Sequence, residues 1–301
     1  MKTTVLVDGK WVAYKMYFSH RQLQTSDGKP TGMVHGFMQD LLRIHKKLPE
    51  ASIIICWDGA PPTWRHKVYP LYKANRPMNP EANRMQESIA ILFPLLRRLG
   101  FRLLRQDEVE ADDMIGMVAR RLASEQHHVR VYSSDQDMLQ LANEFTGIWR
   151  SLEDKPLNEK DVKKLMGVEP YFVSEVRAMA GDASDNLKGL SGVGLKTAIK
   201  LWHSGVRPTA PLPKLLAQKY KDEWPRVCQE FRLALIIDSP DSPVWTPNLR
   251  KILTCLLEEV AERPGRWKEK AERNREEVYR LMARYELEQL LAERHILFNM
   301  P

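Results

Sequence analysis

Aspartates follow three short apolar segments of the chain, at positions that could bring them into one site. Asp8 follows the segment TVLV, Asp58 follows SIIICW, and Asp135 and Asp137 follow VRVYSS. If the three segments are strands of one parallel sheet, these acids meet at its carboxyl edge, where such folds bind ligands. Carboxylates crowded at one edge repel each other strongly unless cations neutralise them. The spacing therefore predicts a metal site.

Five further acids stand in two short blocks. Glu110, Asp112 and Asp113 lie in VEADDM, at the start of a helical apolar pattern, where the positive end of a helix favours negative charge. Asp182 and Asp185 lie three residues apart in GDASDN and face the same way if that turn is helical. Each acid by itself has an ordinary explanation as a capping or turn residue.

The ligand types in this set of acids indicate which metal the site would bind and which reaction it would catalyse. Oxygen ligands without neighbouring histidine or cysteine favour hard ions, Mg²⁺ or Mn²⁺, rather than zinc. Two such ions about 4 Å apart can activate a water, hold a phosphate and stabilise the leaving oxygen. The predicted chemistry is therefore hydrolysis of a phosphodiester bond.

Basic side chains are concentrated in residues 60–105, where only Glu81 and Glu87 oppose them. Cationic groups next to a metal-bound phosphate would stabilise its developing charge. Tyr69 and Tyr72 interleave with the bases and could stack on an unpaired nucleotide. The ordinary alternative is a solvated charged face. The basic residues are Arg65, Lys67, Lys73, Arg76, Arg84, Arg97, Arg98, Arg102 and Arg105.

The segment GLSGVGLKTAIKLW (189–202) places Gly192 and Gly194 before a helical apolar pattern. Exposed backbone N–H groups there could hold a DNA phosphate beside Lys196. A nucleotide-binding P-loop requires lysine directly after its last glycine, but Leu195 occupies that position, which argues against ATP binding. An ordinary turn and helix cap is the remaining alternative.

The apolar patterns predict an α/β first half and a helical second half. The three β-branched segments alternate with longer segments of helical spacing, including one over 107–123, which predicts parallel strands joined by helices. Beyond about residue 160 the strand signals fade, and prolines separate helical segments. We therefore divide the chain into an α/β core, 1–160, and a helical DNA-binding region, 161–301.

The bulk composition favours a polyanionic partner and a reducing compartment. The 301 residues carry a net charge of +7 with a pI near 9.2. The three cysteines lie far apart and form no CxxC pair, so neither disulfides nor a thiolate metal site is predicted. Because no apolar run approaches membrane-spanning length, we expect a soluble, cytoplasmic protein without a membrane partner.

Taken together, these motifs resemble the 5′-nucleases, the family that comprises the domain preceding bacterial family A DNA polymerases and the stand-alone flap endonucleases of bacteriophages. The matching blocks follow the order of the family and span about two thirds of the chain. They are VDG (7–9), SDGKPTG (26–32), WDG (57–59), YPLYKANRP (69–77), VEADDMIG (109–116), SSDQDMLQL (133–141), AMAGDASDN (178–186) and GLSGVGLKTA (189–198).

The resemblance implies a parallel-sheet 5′-nuclease (PIN-like) core with a helical arch at about 72–100, a helix-three-turn-helix at about 176–203, and C-terminal helices. It implies two Mg²⁺ ions, replaceable by Mn²⁺, with K⁺ at the helix-three-turn-helix. The implied metal ligands are Asp8, Asp58, Glu110, Asp112, Asp113, Asp135, Asp137, Asp182 and Asp185. The implied catalytic residues are Lys73 and Arg76 with Asp8 and Asp58, and the implied DNA-binding residues are Tyr72, Lys73, Arg76, Arg84, Gly192, Gly194, Lys196 and Thr197.

The expected activity is that of a monomeric 5′-3′ exonuclease and 5′-flap endonuclease acting on DNA flaps, nicks and ends, and on RNA primers. Departures from the family pattern bear on substrate preference rather than on the ligand set; they are Lys15, Trp57, Ser134, Gln136 and Lys188. Two other classes are considered. A small toxin-type α/β ribonuclease would be much shorter, and a DNA-junction-binding protein without turnover would not need the complete acidic set.

Overall fold

A parallel sheet lies at the centre of the first half of the protein, which confirms the predicted α/β class. The computed structural model describes residues 1–262, 274–285, 287 and 290. Within these residues the strand order is β3-β2-β1-β4-β5, with every pairing parallel. The strands are β1 (Lys2–Asp8), β2 (Ser52–Trp57), β3 (Arg102–Arg105), β4 (His127–Tyr132) and β5 (Thr146–Trp149).

The three strands that the sequence predicts are the three central ones, β2, β1 and β4. Their apolar residues are buried on both faces, as parallel strands between two helical layers require. The edge strands β3 and β5 were not predicted. Each has only four residues, RLLR and TGIW, and so short a segment carries no usable periodicity.

Helices cover both faces of the sheet. Val5 and Val7 of β1 pack in one apolar cluster and Leu6 packs in another, because successive side chains of a strand point to opposite faces. The first cluster includes helices α1 (Gly9–Ser19), α2 (Gly32–Lys47) and α4 (Ala82–Leu99); the second includes α3 (Trp64–Val68) and α5 (Ala111–Leu122).

The described part of the second half is mainly helical, as predicted. Here α7 packs against both α8 and α10, and α11 packs against α5. Within the described residues no helix is both long and apolar enough to cross a membrane. The helices are α6 (Glu159–Met166), α7 (Val173–Ala180), α8 (Leu195–His203), α9 (Lys214–Tyr220), α10 (Trp224–Ala234), α11 (Pro247–Glu262) and α12 (Arg275–Arg284).

Helix α12 lies against α4, on the same side of the sheet as α1 and α2. Its residues Val278 and Met282 are fully buried, so this C-terminal helix is part of the apolar core. Residues 263–273 and most residues after 285 lie outside the described part, so the predicted C-terminal helices are confirmed only over α11 and α12.

Candidate active site

The carboxyl edge of the central strands carries the first acids of the site. The strand register aligns Asp8 with Cys56 and Val7 with Tyr132, so Asp58 and Asp135 both lie two residues beyond the level of Asp8. Asp8 is buried; it accepts hydrogen bonds from the Trp11 backbone N–H (3.0 Å) and the Ser133 hydroxyl (2.8 Å). The predicted convergence of strand ends therefore occurs.

Asp58 connects two elements of the core. Its Oδ1 accepts the backbone N–H of Ala111 (2.8 Å), the first residue of α5, and its Oδ2 accepts from Nζ of Lys10 (2.7 Å). The next residue, Gly59, lies against the backbone of Gln106, where a Cβ would come within 1.8 Å of the carbonyl oxygen. This close approach requires glycine after Asp58 and brings the start of α5 to the strand end.

Glu110 is the N-cap residue of α5 and is surrounded by donors. Its Oε1 accepts from the Thr63 hydroxyl (2.8 Å), and its Oε2 accepts from Lys73 Nζ (2.7 Å) and lies 3.2 Å from the Tyr72 hydroxyl oxygen. Burial alone would raise the pKa of Glu110, but Arg65 and Lys73 outweigh it and hold the pKa at about 2. Glu110 is therefore ionised.

Asp112 and Asp113 are adjacent in sequence but lie in different surroundings. Asp112 lines a cavity that it shares with Asp135, Asp137 and Asp185, which we call the acidic cavity. Asp113 is fully buried and accepts from Trp64 Nε1 (2.9 Å), from both terminal nitrogens of Arg65 (2.7 and 2.9 Å) and from the Ile237 N–H (2.8 Å). Its oxygens are engaged by Trp64, Arg65 and the backbone of Ile237, and Asp113 is not among the residues that line the acidic cavity.

The second group of acids lies on the loops after β4 and after α7. Asp135 accepts the N–H of Asp137 (2.9 Å). Asp137, Asp182 and Asp185 each place one carboxylate oxygen within 4.8 Å of the others, a separation compatible with a shared metal ion. Arg177 contributes charge here: its Nε lies 2.5 Å from Asp137, and its Nη2 pairs with Asp182.

A cavity of about 500 Å³ opens between these two groups of acids. Its lining combines residues that follow β4 with residues of the loop after α7. It also includes Lys73 and Arg76, which lie more than 100 residues before that loop in the sequence. The lining acids are Asp112, Asp135, Asp137, Asp182 and Asp185, and the lining bases are Lys73, Arg76 and Arg177.

The acids of the site repel one another. Burial, reinforced by the charges of Asp58 and Asp135, raises the pKa of Asp8 to about 6. Burial and the neighbouring acids Asp135, Asp185 and Asp182 raise the pKa of Asp137 to about 7 against the opposing effect of Arg177. Burial followed by Asp135 raises the pKa of Asp112 well above its usual range. A cluster that resists its own ionisation and offers only oxygen donors fits a hard divalent cation.

The bases predicted to act on the substrate pair with these acids. Lys73 contacts Glu110, and the guanidinium of Arg76 lies 2.8 Å from Asp185. The Tyr72 hydroxyl donates to Asp185 (2.9 Å), and the residue as a whole is only 3% exposed. The structure thus joins these residues to the site, but it buries the ring that was predicted to stack on a nucleotide.

The predicted arch consists of a turn-rich segment before residue 80 followed by α4. One face of α4 is buried against the core, including Met85 and Leu92. Arg84 lies on its exposed side and donates to Gln24 Oε1 (3.1 Å), outside the acidic cavity.

The glycine segment forms a turn followed by a helix, as predicted. Gly192 has a φ of +73°, and Gly194 is the N-cap residue of α8. A Cβ at either glycine would meet no atom within 4 Å, so the backbone there is open. Lys196 and Thr197 are exposed in the first turn of α8. This open backbone beside a lysine is accessible to a phosphate.

Three residues of the site were not predicted from the sequence. Arg177 lies in the last turn of α7 and resembles an ordinary basic residue near a helix C-terminus. Lys10 follows VDG, and its only signal was adjacency to Asp8. Thr63, buried between His66 and Glu110, had no signal in the spacing.

Comparison with known proteins identifies the family. Residues 3–167 match the family model described as 5′-3′ exonuclease, N-terminal resolvase-like domain. The 5′-3′ exonuclease of Aquifex aeolicus is 32% identical over 272 residues, which cover 86% of this chain and 92% of that protein. The thermostable DNA polymerase I of Thermus thermophilus is 30% identical over 292 residues, covering 96% of this chain and 33% of the polymerase.

Solved structures share the fold. The bacteriophage T5 5′-exonuclease with bound zinc superposes with a TM-score of 0.72 at 17% identity, over 86% of this chain and 100% of that one. The bacteriophage T5 flap endonuclease in a pseudo-enzyme-product complex with DNA and metal ions gives a TM-score of 0.71 at 18% identity, over 87% and 100%. The fold is that of a nuclease. The chain belongs to the 5′-3′ exonuclease family and is a hydrolase of phosphodiester bonds.

Proposed function

We propose that this protein is a structure-selective 5′-3′ exonuclease and 5′-flap endonuclease that cuts DNA, and RNA primers, near single-strand/duplex junctions by a two-metal mechanism. The observation that carries the proposal is the cavity in which carboxylates from the strand ends and from the loop after α7 face basic residues of the arch segment. The related T5 enzymes, whose structures contain DNA or divalent ions, support it.

Two groups of acids would hold the ions. Asp8, Asp58, Glu110 and Asp112 form the first group, and Asp137, Asp182 and Asp185 form the second, with Asp135 between them. Burial is the main cause of the raised pKa values of Asp8 and Asp137. The neighbouring charges add to it, from Asp58 and Asp135 at Asp8 and from Asp135, Asp185 and Asp182 at Asp137, which supports this division. Bound Mg²⁺, or Mn²⁺ in its place, supplies an activated water and charge stabilisation at the leaving oxygen. Asp113 would act indirectly, by holding Arg65 beside Glu110.

The basic residues of the chain would bind the scissile phosphate. Lys73 and Arg76 lie at the rim of the cavity, and each pairs with an acid that a cation would neutralise. Once the acids are neutralised, these side chains can donate to phosphate oxygens instead. Tyr72 and Arg84 would contact the single-stranded 5′ portion, which requires the segment around Tyr72 to open because its ring is buried.

Duplex DNA would bind on the open turn before α8. The N–H groups of Gly192 and Gly194, with Lys196 and Thr197, offer a site for one phosphate of the duplex strand. A K⁺ ion at this turn belongs to the same proposal. We further propose that the protein acts as a monomer in the cytoplasm, where its free cysteines would stay reduced.

The proposal is tested by cleavage of three labelled substrates, a 5′-flap duplex, a nicked duplex and a blunt duplex. With Mg²⁺ we expect products cut near the flap junction and short products from the nick, with little cutting of the blunt duplex. EDTA should abolish all cleavage. A protein that binds the flap but cuts none of these substrates with Mg²⁺ or Mn²⁺ would be a junction-binding protein, and the proposal would fail.

A further inference from the structure

Helix α10 binds the backbone at the junction between two consecutive loops of the chain. We call residues 181–187, which include Asp182 and Asp185, the carboxylate loop, and residues 188–194 the glycine turn. Glu230 of α10 accepts the backbone N–H of Lys188 on Oε1 and that of Gly189 on Oε2, both at 2.8 Å. A carboxylate that is 2% exposed thus spans the first two residues of the turn.

Arg226 of α10 and Glu223, the N-cap residue of this helix, extend this contact along the turn. Arg226 donates to the carbonyl of Gly189, and Glu223 accepts the N–H of Ser191 (2.7 Å). The three side chains lie at positions i, i+3 and i+7, which is one face of a helix. We call Glu223, Arg226 and Glu230 the α10 clamp.

The carboxylate loop and the glycine turn are joined tightly at the residues that the α10 clamp binds. Gly189 has a φ of +61°, and a Cβ there would lie 2.4 Å from the backbone nitrogen of Gly181. The backbones of Asp182 and Leu187 pair through two hydrogen bonds of 2.8 Å, which close the loop. Displacement of the turn therefore displaces the acids of the loop.

The same helix is also attached to the core beside Glu110. Gln229 donates to the carbonyl of Val68 (3.2 Å), and Arg65 Nε donates to the carbonyl of Leu233 (2.9 Å). Arg65 also pairs with Asp113 and lies 3.7 Å from Glu110. One face of α10 therefore contacts the glycine turn. Gln229 and Leu233 of the same helix contact α3, which carries Arg65 beside Glu110.

Burial of the Glu230 carboxylate disfavours its charged form. Burial raises its pKa, and the N–H groups of Lys188 and Gly189 act in the opposite direction. A neutral amide of the same shape has one acceptor oxygen and would turn its NH₂ group toward the second backbone donor. Only a carboxylate satisfies both N–H groups from one side.

We propose that α10 is a spacer that sets the distance between the acidic cavity and the duplex phosphate bound at the glycine turn, and so selects which phosphodiester bond is cut. Glu230 is its positioning residue. This inference rests on the proposed function, because it requires a duplex on the turn and a cut at the acids.

The test compares Glu230→Gln with Glu258→Gln, the same chemical change on the exposed side of α11. Cut positions are mapped on a labelled 5′-flap duplex with Mg²⁺, and the Kd for the duplex is measured with Ca²⁺, so that the equilibrium is read without turnover. For Glu230→Gln we expect cuts to spread to neighbouring bonds and the Kd to rise about tenfold, the effect of losing one charged hydrogen bond. Glu258→Gln should match the wild type.

The outcomes separate the two proposals. If the wild type cuts flaps and folded Glu230→Gln cuts at the same single bond, the spacer role is overturned, even if its overall rate falls. If the wild type binds duplex but cuts no flap, the proposed function fails as well. Should Glu230→Gln not fold, Glu223→Ala replaces it, because alanine has no acceptor for the Ser191 N–H and so removes the outer contact of the α10 clamp. Unchanged cut positions in that variant also overturn the spacer role.

Discussion

The ammonium nitrogen of Lys73 lies 2.7 Å from Oε2 of Glu110, so a base of the arch segment neutralises an acid of the core. The φ of +58° at Lys73 and the hydrogen bond from its N–H to the Asp185 carbonyl hold this turn against the carboxylate loop. A cation bound by Glu110 and Asp185 would compete with the side chains of this turn.

Replacing Lys73 with methionine should therefore change metal binding and cleavage in opposite directions. Mn²⁺ affinity should rise about fivefold, because an ion pair worth ~1 kcal/mol no longer competes for Glu110. Flap cleavage should fall about 100-fold, because the phosphate loses a cationic donor. Calorimetric titration with Mn²⁺ and steady-state cleavage measure the two effects.

The matched control for Lys73 is Lys67→Met, which removes an exposed ion pair to Glu108 outside the cavity. It should leave Mn²⁺ affinity and cleavage unchanged. If Lys73→Met weakened metal binding instead, the competition between the lysine and the cation would be refuted.

Asp135→Asn should abolish most of the activity while stabilising the metal-free protein. Asp135 contributes to the raised pKa of Asp8, Asp112 and Asp137, so its charge opposes the ionisation of all three. Cleavage should fall by about 100-fold or more with a metal ligand removed. The Tm in EDTA should rise, since one repulsive charge is gone.

Asp241→Asn, which changes an exposed aspartate with no role in the site, is the control for Asp135. Its cleavage rate and Tm should equal those of the wild type. Retention of full cleavage by folded Asp135→Asn at saturating Mg²⁺ would refute the two-metal mechanism.

The raised pKa values of Asp8 and Asp137 predict how stability depends on pH without metal. Both groups have an ordinary value of 3.8, and burial raises them to about 6 and about 7 in the folded protein. Between about pH 4 and about pH 7 the folded state therefore binds more protons than the unfolded state. As a result, the free energy of unfolding decreases as the pH rises through this range.

Divalent ions should reverse this pH trend, because they replace the protons on the same carboxylates. Apparent Mn²⁺ affinity should therefore increase between about pH 6 and 7. Thermal unfolding in EDTA and in Mg²⁺ across this range measures the effect, and Asp137→Asn should flatten the curve in EDTA. A metal-free protein whose Tm increased steadily from pH 5 to 7.5 would contradict the assignment.

The adjacent pair Asp112 and Asp113 should respond differently to the same substitution. Asp113→Asn leaves the guanidinium of Arg65 buried without its carboxylate, which should cost about 3–5 kcal/mol of stability. Asp112→Asn should reduce Mn²⁺ affinity by at least about tenfold and raise the Tm of the metal-free protein. Urea unfolding measures the stability of both variants, and calorimetric titration measures their Mn²⁺ affinity. Equal losses of Mn²⁺ affinity in the two variants would show that Asp113 is also a ligand.

Much of the fold and the acidic set follows from local features of the sequence. The β-branched segments before Asp8, Asp58 and Asp135 predicted the three central strands, because strands buried on both faces need continuous apolar runs. The glycines before Lys196 predicted the turn and the start of α8, because backbone conformation there depends on residue type. The edge strands were missed, since four residues carry no periodicity.

What the amino-acid sequence determined by itself was therefore the α/β sheet and the side chains available for chemistry, a set of carboxylates and a set of bases. Only the tertiary structure decided how those groups are used. It turned Asp113 toward Arg65 and Ile237, brought Arg177 to Asp137, and placed Glu230 under the glycine turn. Such pairings depend on the packing of elements that are distant in sequence, and neither residue type nor spacing encodes which face of one helix meets which loop of another.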